Sequence, residues 1–298
     1  MSHGVLVIDK PSGPTSHDVV QLVRRAFRTR AVGHAGTLDP MATGVLVIGV
    51  GEATKLLHYL SGVDKVYLAT ITLGTLTDSL DAQGRVLERA PLPADLSLAG
   101  VSRVAERFLG EQLQRVPEIS AIKQGGEPLY LRARRGEVVD APERNVFVHA
   151  LEILRVEAGT IELRVHCGKG FYVRSLARDL AAALGTLGHL SALRRVASGV
   201  FTLDDAIEAL ELSSALELPV LMPPAAALRG RPCLTLNPQG VIEVGHGRAV
   251  SRAHLCDGAL PEPGQEPVGL LDERGELRAL GRAEADRVLV IRGLHSPA

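Results

Sequence analysis

Short apolar runs, punctuated by glycine and proline, organise the chain. Val5-Leu6-Val7-Ile8 reads as a strand that enters the turn Asp9–Pro14. Ser16 then suits a helix N-cap, with Asp18 in the first turn, where the helix dipole favours a carboxylate. Val19, Val20, Val23 and Phe27 form the apolar stripe of that helix, and Arg24, Arg25, Arg28 and Arg30 gather towards its C-terminal end. Next comes Gly33-His34-Ala35-Gly36-Thr37-Leu38-Asp39-Pro40. Two glycines and a proline in eight residues exclude an ordinary helix or central strand, and Pro40 pushes Asp39 into an extended conformation. The pattern predicts a constrained loop ahead of a buried strand, Val45–Val50.

A short helix over Glu52–Leu60 and a strand over Lys65–Leu73 follow, then a polar loop, Gly74–Gly84, holding Asp78 and Asp81. Leu98–Leu109 carries a helical stripe. From Gly110 to Asn145 the periodicity breaks down, and Arg132, Arg134 and Arg135 cluster there. This reads as a basic surface insertion, or simply as an exposed helical hairpin. Val146–Arg155 and Ile161–Cys167 predict a hairpin about Ala158-Gly159. Gly168-Lys169-Gly170 leads into a helix that runs to Leu184, and a last strand of the main body starts at Leu193. The proline-rich stretch Leu218–Pro232 marks a boundary. Beyond it, apolar runs at Leu234–Leu236, Val241–Val244, Val268–Leu271 and Val288–Ile291 suggest a small β-barrel or sandwich.

Composition narrows the class more than the function. The 298 residues are 46% apolar and 22% charged, as in an ordinary globular protein able to bury its own core. Three cysteines, Cys167, Cys233 and Cys256, with no CxxC, point to small buried thiols in a reducing cytoplasm and not to a disulfide framework. The first nine residues lack the basic flank of a signal peptide, and no run is long enough for a membrane span. Net charge is −1, but residues 1–200 hold 24 Lys/Arg against 20 Asp/Glu, and the remainder 9 against 14. A mildly basic body is compatible with nucleic acid.

The motifs exclude several chemistries. Ten histidines are scattered, with no HExxH or Cys/His cluster at ligand spacing, so no catalytic metal is indicated. Neither a Walker loop, nor GxGxxG, nor G-x-S-x-G occurs. Carboxylate, tyrosine and arginine remain. An aspartate can act as a covalent nucleophile when it is positioned and ionised, and a nearby arginine favours the ionised form. Taken alone, the octapeptide reads better as a surface turn, with Asp39 bonded to neighbouring backbone N–H groups.

The blocks Asp9-Lys10-Pro11, Gly33–Pro40, Ala42-Thr43-Gly44, Gly51–Lys55, the Tyr67 strand, Leu73-Gly74, Thr77-Asp78 and Asp81 resemble the bacterial TruB-type tRNA pseudouridine synthases. Ser120–Lys123, Leu129-Tyr130, Lys169–Arg174 and Leu193-Arg194-Arg195 continue the match in order. Departures are modest: Leu131 stands where the family often has Glu, and Val116-Pro117 replaces a frequent Pro-Pro.

The resemblance implies an α+β fold. A catalytic domain with a mostly antiparallel central sheet spans 1–230, with an RNA-binding insertion at about 110–145, and a small PUA-like β domain spans 231–298. It implies isomerisation of the T-loop uridine of tRNA, position 55, to pseudouridine. Asp39 would be the nucleophile, Tyr67 would lie against the uracil as a candidate base, and Arg174 would pair with Asp39. Tyr172 and Leu193 would line the base pocket, and His34 would fill the place of the flipped base. Arg24 and Arg28 would touch phosphates, while Arg132 and Arg134 would close over the T-stem loop. No cofactor, metal or guide RNA is implied, and the protein is expected to act as a cytoplasmic monomer on tRNA. Two alternatives are a guide-RNA-dependent synthase and a tRNA-folding factor with vestigial catalytic residues.

Overall fold

Strand β1 (Gly4–Lys10) is buried nearly throughout, as its apolar run requires. Helix α1 (Ser16–Ala26) is capped by Thr15 and not by the expected Ser16. The Asp18 N–H donates to the Thr15 hydroxyl, and the Asp18 carboxylate accepts from the Thr15 N–H. That reciprocal box frees Ser16 to turn inward. The Gly33–Pro40 stretch also begins differently from expectation, because Val32–His34 forms a short strand, β2, antiparallel to β3 (Thr43–Val50). Gly33 lies opposite Gly49, and a Cβ on Gly33 would stand 2.7 Å from Leu57 Cδ1. A pair of glycines lets these strands approach under the following helical segment, which is a 3₁₀ turn over Gly51–Leu56 and then α2 (Leu57–Ser61).

Strand β4 (Lys65–Leu73) matches its predicted range. The polar loop after it is partly a two-stranded ribbon, β5 (Thr75–Thr77) with β6 (Val86–Arg89). Helix α3 (Leu98–Ala105) is followed by β7 (Gly110–Arg115), so the supposed insertion starts as an edge strand. Its core is smaller: β8 (Lys123–Gln124), β9 (Glu127–Pro128) and α4 (Leu129–Arg134). The predicted hairpin is β10 (Glu143–Glu157) and β11 (Thr160–Cys167), turning at Ala158 and Gly159, both at positive φ. Helix α5 (Val173–Ala183) and β12 (Gly188–Ser198) complete this part, the strand starting earlier than expected.

Beyond it lie β13 (Phe201–Thr202), β14 (Ala206–Glu208) and β15 (Cys233–Thr235). Val241–Val244, expected as a strand, is helix α6 (Pro238–Gly245), because Asn237 caps it and Pro238 occupies its first position. Strands β16 (Val250–Ser251), β17 (Val268–Leu271), β18 (Leu277–Ala283) and β19 (Arg287–Gly293) end the chain.

The computed structural model describes residues 3–294 apart from 121, 136, 138–140, 210, 211 and 213–217. Its contacts divide the chain into two compact units. The first comprises Met1–Asp39, Val45–Ser61 and Val200–Ala298; the second comprises Pro40–Gly44 and Gly62–Gly199. In the first, β1 pairs with β14 in parallel and β2 with β3 antiparallel. The C-terminal strands form a separate curled sheet in the order β15-β17-β18-β19-β16, the small β domain expected there. One core joins Val5, Val7, Val45 and Val47 to Leu277, Leu280 and Leu294, which explains why both ends of the chain fall in one unit. A second core, with Leu236, Val250, Leu270 and Val288, lies within the C-terminal part.

In the second unit, β12-β4-β11-β10-β7 form an antiparallel sheet. The fold is thus the α+β class with a mostly antiparallel sheet. Of the cysteines only Cys167 is buried, and burial pushes its thiol up to about 12. Cys233 and Cys256 are exposed, contrary to expectation: the first opens a short strand at a sheet edge, and the second lies in a bend after the 3₁₀ turn Arg252–His254. Among the described residues no helix is long and apolar enough to cross a membrane.

Candidate active site

The loop that carries Asp39 is anchored on both sides. The Ala35 N–H donates to Val47 O at 2.9 Å, and Ala35 and Leu38 are buried. Ser16 supplies the second anchor. Its hydroxyl accepts from the Leu38 N–H at 2.8 Å and donates to the Leu38 carbonyl at 3.0 Å. One buried oxygen therefore satisfies both backbone groups of the residue before Asp39. The sequence suggested a helix cap at Ser16; the fold uses it as a clamp. Asp39 itself is half-buried, and His34 ends β2 opposite Ile48.

The clamp has a measurable consequence. Replacing Ser16 by Ala strands a buried N–H and C=O, which costs about 1–3 kcal/mol of stability. On the reaction that the resemblance implies, it should lower kcat by roughly tenfold while substrate affinity holds, since a misplaced reacting group loses rate before binding. Turnover within twofold of wild type would mean that other contacts hold this loop.

In the second unit, Tyr67 lies on β4 between Val165 of β11 and Arg195 of β12. Leu193 pairs with Ala69, two residues along, so Tyr67 and Leu193 share one face of the sheet. Both are about 8% exposed. Arg195, directly opposite Tyr67, is 1% exposed, a buried charge that the sequence reading passed over. The visible signal was an arginine doublet inside an apolar strand. Gly44 pairs with Arg195 at φ +101, and a Cβ there would meet Arg195 O at 2.2 Å, so no other residue fits. Lys65, on the same strand as Tyr67, has its pKa lowered to about 8, first by burial and then by Arg195.

Tyr172 and Arg174 flank the start of α5. Gln114 brackets Tyr172: its side-chain oxygen accepts from the Tyr172 N–H at 2.8 Å, and its amide donates to the Tyr172 carbonyl at 3.2 Å. The Ser175 hydroxyl donates to Arg115 O, fastening the helix start to β7. Arg174 is a cation in the first turn of a helix, where the dipole opposes it. It is nonetheless buried, donating to Ser79 O at 2.9 Å and Ile119 O at 3.0 Å, with Asp81 at 3.8 Å. Asp81 is fixed in turn by the Ser79 hydroxyl at 2.6 Å and the Gln83 N–H at 3.0 Å. The polar loop after β4 is thus a receptor for Arg174.

The arginines expected at phosphates behave differently from one another. Gln21, Arg24, Arg25, Arg28, Thr29 and Arg30 line an open groove of about 550 Å³. Arg28 holds φ +49 at the end of α1, with Thr29 N–H bonded to Arg24 O, a helix terminus at which glycine is the usual occupant. The chain keeps an arginine there at a cost of about 1 kcal/mol. Arg132 instead pairs with Glu137 at 2.9 Å, and Arg135 with Glu127 at 2.6 Å, so a phosphate must compete for them. Ala121 and the side chains of Tyr130 and Arg134 lie outside the described residues.

Residues 24–173 match the TruB family pseudouridylate synthase N-terminal domain, and residues 174–220 the tRNA pseudouridylate synthase B C-terminal domain. A protein named tRNA pseudouridine synthase B from Xanthomonas campestris is 44% identical, over 95% of this chain and 91% of its own. One of the same name from Thermobifida fusca is 44% identical over 94% of each. Among solved structures, the fold is similar to a chain of an H/ACA RNP bound to a substrate RNA containing 2′-deoxyuridine. The TM-score there is 0.74 and the identity 25%, over 98% of this chain and 85% of that one. A chain of a Cbf5-Nop10-Gar1 complex gives a TM-score of 0.73 at 27% identity, over 98% and 84%. By two adjoining domain matches and close relatives along nearly its whole length, the chain belongs to the TruB family of pseudouridylate synthases.

Proposed function

We propose that this protein isomerises uridine to pseudouridine at position 55, in the T-loop of tRNA. The observation that carries the reading is 44% identity, over 95% of the chain, to a protein named tRNA pseudouridine synthase B. In the reaction the N-glycosidic bond breaks, the uracil turns, and a bond forms between ribose C1′ and uracil C5, whose proton is lost. Asp39 is the nucleophile, a role suited to a carboxylate on an anchored loop. Tyr67 lies against the base and takes part in proton removal. Arg174 supplies the positive charge of the site, and Tyr172 and Leu193 bound the base pocket. The chemistry needs no metal and no organic cofactor.

The target base must leave its stack, which costs a few kcal/mol. His34 takes its place, and ring–base stacking returns roughly 1–3 kcal/mol. The arginine-lined groove with Arg24 and Arg28 receives phosphates, and the segment with Arg132 and Arg134 closes on the T-stem loop. Residues 1–230 serve as the catalytic domain and 231–298 as a PUA-like domain. The enzyme works as a cytoplasmic monomer without a guide RNA.

Likeness to an H/ACA RNP chain favours one competing reading, guide-dependent modification. Unmodified tRNA carrying tritium at uracil C5 separates the two. One equivalent of label per tRNA should pass into water with no other RNA present. Release only after a guide is added would establish the competing reading. No release at all from folded protein that still binds tRNA would make it an RNA-binding factor.

A further inference from the structure

No pair of histidines in the sequence has ligand spacing, yet the fold brings Asp64, His149 and His166 together. Regular pairing of β10 with β11 sets Val148 opposite Cys167, but Ala150 lies opposite His166. His149 is therefore the extra residue of a β-bulge, and two residues of β10 face one of β11. The bulge turns the His149 ring onto that of His166, with centroids 4.5 Å apart and planes tilted by 33°. On the other side, Val66 of β4 lies opposite His166. Asp64, two residues earlier, projects from the same face. Its backbone is held by the Gly199 N–H, which donates to Asp64 O at 2.8 Å.

The donor atoms converge. Asp64 Oδ2 is 3.2 Å from His149 Nε2 and 3.9 Å from His166 Nε2, and all three ligand atoms lie within 4.8 Å of one another. Zinc bonds of 2.0–2.1 Å in tetrahedral array set ligands about 3.3–3.5 Å apart. The longest separation, up to 4.8 Å, must close by about 1.5 Å at most, which exposed or half-exposed side chains can do by χ rotations. Two imidazoles and one carboxylate select a zinc-class transition ion over magnesium or calcium, which take oxygen ligands. Three protein ligands leave a position for water.

We propose that Asp64, His149 and His166 form a binding site for a zinc-class divalent ion. The ion cross-links the start of β4 to the bulge of β10 and the end of β11. It is a clip on the sheet that carries Tyr67, separate from the isomerisation chemistry.

The test uses the full chain, stripped with chelator and titrated with Zn²⁺ by calorimetry at about pH 7.5. One equivalent should bind and raise the thermal midpoint, with chelator reversing the shift. Co²⁺ should give the visible absorption of a four- or five-coordinate ion, a readout that needs no variant. A His149→Gln/His166→Gln double variant should lose at least about tenfold in affinity together with the Co²⁺ bands. A Cys233→Ser/Cys256→Ser variant should retain both. Zn²⁺ affinity weaker than millimolar, absence of the Co²⁺ bands from wild type, or binding unchanged in the histidine variant would each overturn the site. The cluster would then be an ordinary aspartate–histidine hydrogen bond.

Discussion

Asn in place of Asp39 is expected to reduce tritium release from uracil C5 to background, a loss of at least about 10⁴-fold in kcat. The substitution preserves shape and removes the charge and nucleophilic oxygen together. The loop should keep its form, because its anchors are the Ser16 hydroxyl on the Leu38 backbone and the Ala35 N–H on Val47. Affinity for tRNA should stay within about threefold, since a single half-buried carboxylate adds little to a contact dominated by phosphate neutralisation. The pair of results matters more than either alone. A fall in binding equal to the fall in rate would make Asp39 a docking residue. Wild-type turnover would place the nucleophile elsewhere.

Strands with strong apolar alternation or runs were readable to the residue, as Lys65–Leu73 and Val268–Leu271 show. The Ala158-Gly159 turn was legible from Gly159, which takes positive φ freely; Ala158 adopts it as well, against its own preference. Failures came where a local signal competed with another. Val241-Ile242 and Val244 look like strand, but Asn237 and Pro238 begin a helix that buries Val244 and leaves Ile242 exposed. Gly110–Arg115 is too polar to announce a strand, and it is stabilised by pairing with β10 at the sheet edge. The capping signal at Ser16 was real but belonged to Thr15, one residue earlier.

The candidate site was legible as a set of residue blocks and not as geometry. Nothing local says that Arg174 will dock on Ser79 and Ile119 carbonyls, since those partners are 95 and 55 residues away. Gln114, which brackets Tyr172 from 58 residues away, sits in a polar run that resembles surface. The Asp64–His149–His166 cluster depends on one bulge that no composition rule reveals. Long-range register makes these sites, and register is a property of the assembled sheet.

Arg174 carries the second large effect. Replacing it by Met keeps bulk and removes the charge. Ser79 O and Ile119 O then lose their donor, and Asp81 stays buried without its cation. Removing one partner from such an arrangement costs about 3–5 kcal/mol, so chemical denaturation should show a loss of that size. Turnover should vanish as well, which alone would not separate structural from functional loss. Lys at the same position makes the separation. It keeps a positive charge near Asp81, but the shorter, tetrahedral ammonium does not place its donors where the single Arg174 Nη1 reaches both carbonyls. Stability should recover by more than half, while kcat remains about 10²-fold down, with tRNA affinity near wild type. Full recovery of rate with Lys would mean that charge alone is needed and that the guanidinium geometry is structural. Loss of stability in Lys equal to that in Met would show that the two carbonyls, and not Asp81, hold the helix start in place. A helix that opens on a buried arginine, against its own dipole, is unfavourable by local rules; the receptor built from the loop after β4 is what makes it stable, and the substitutions measure how much of that receptor exists for the reaction.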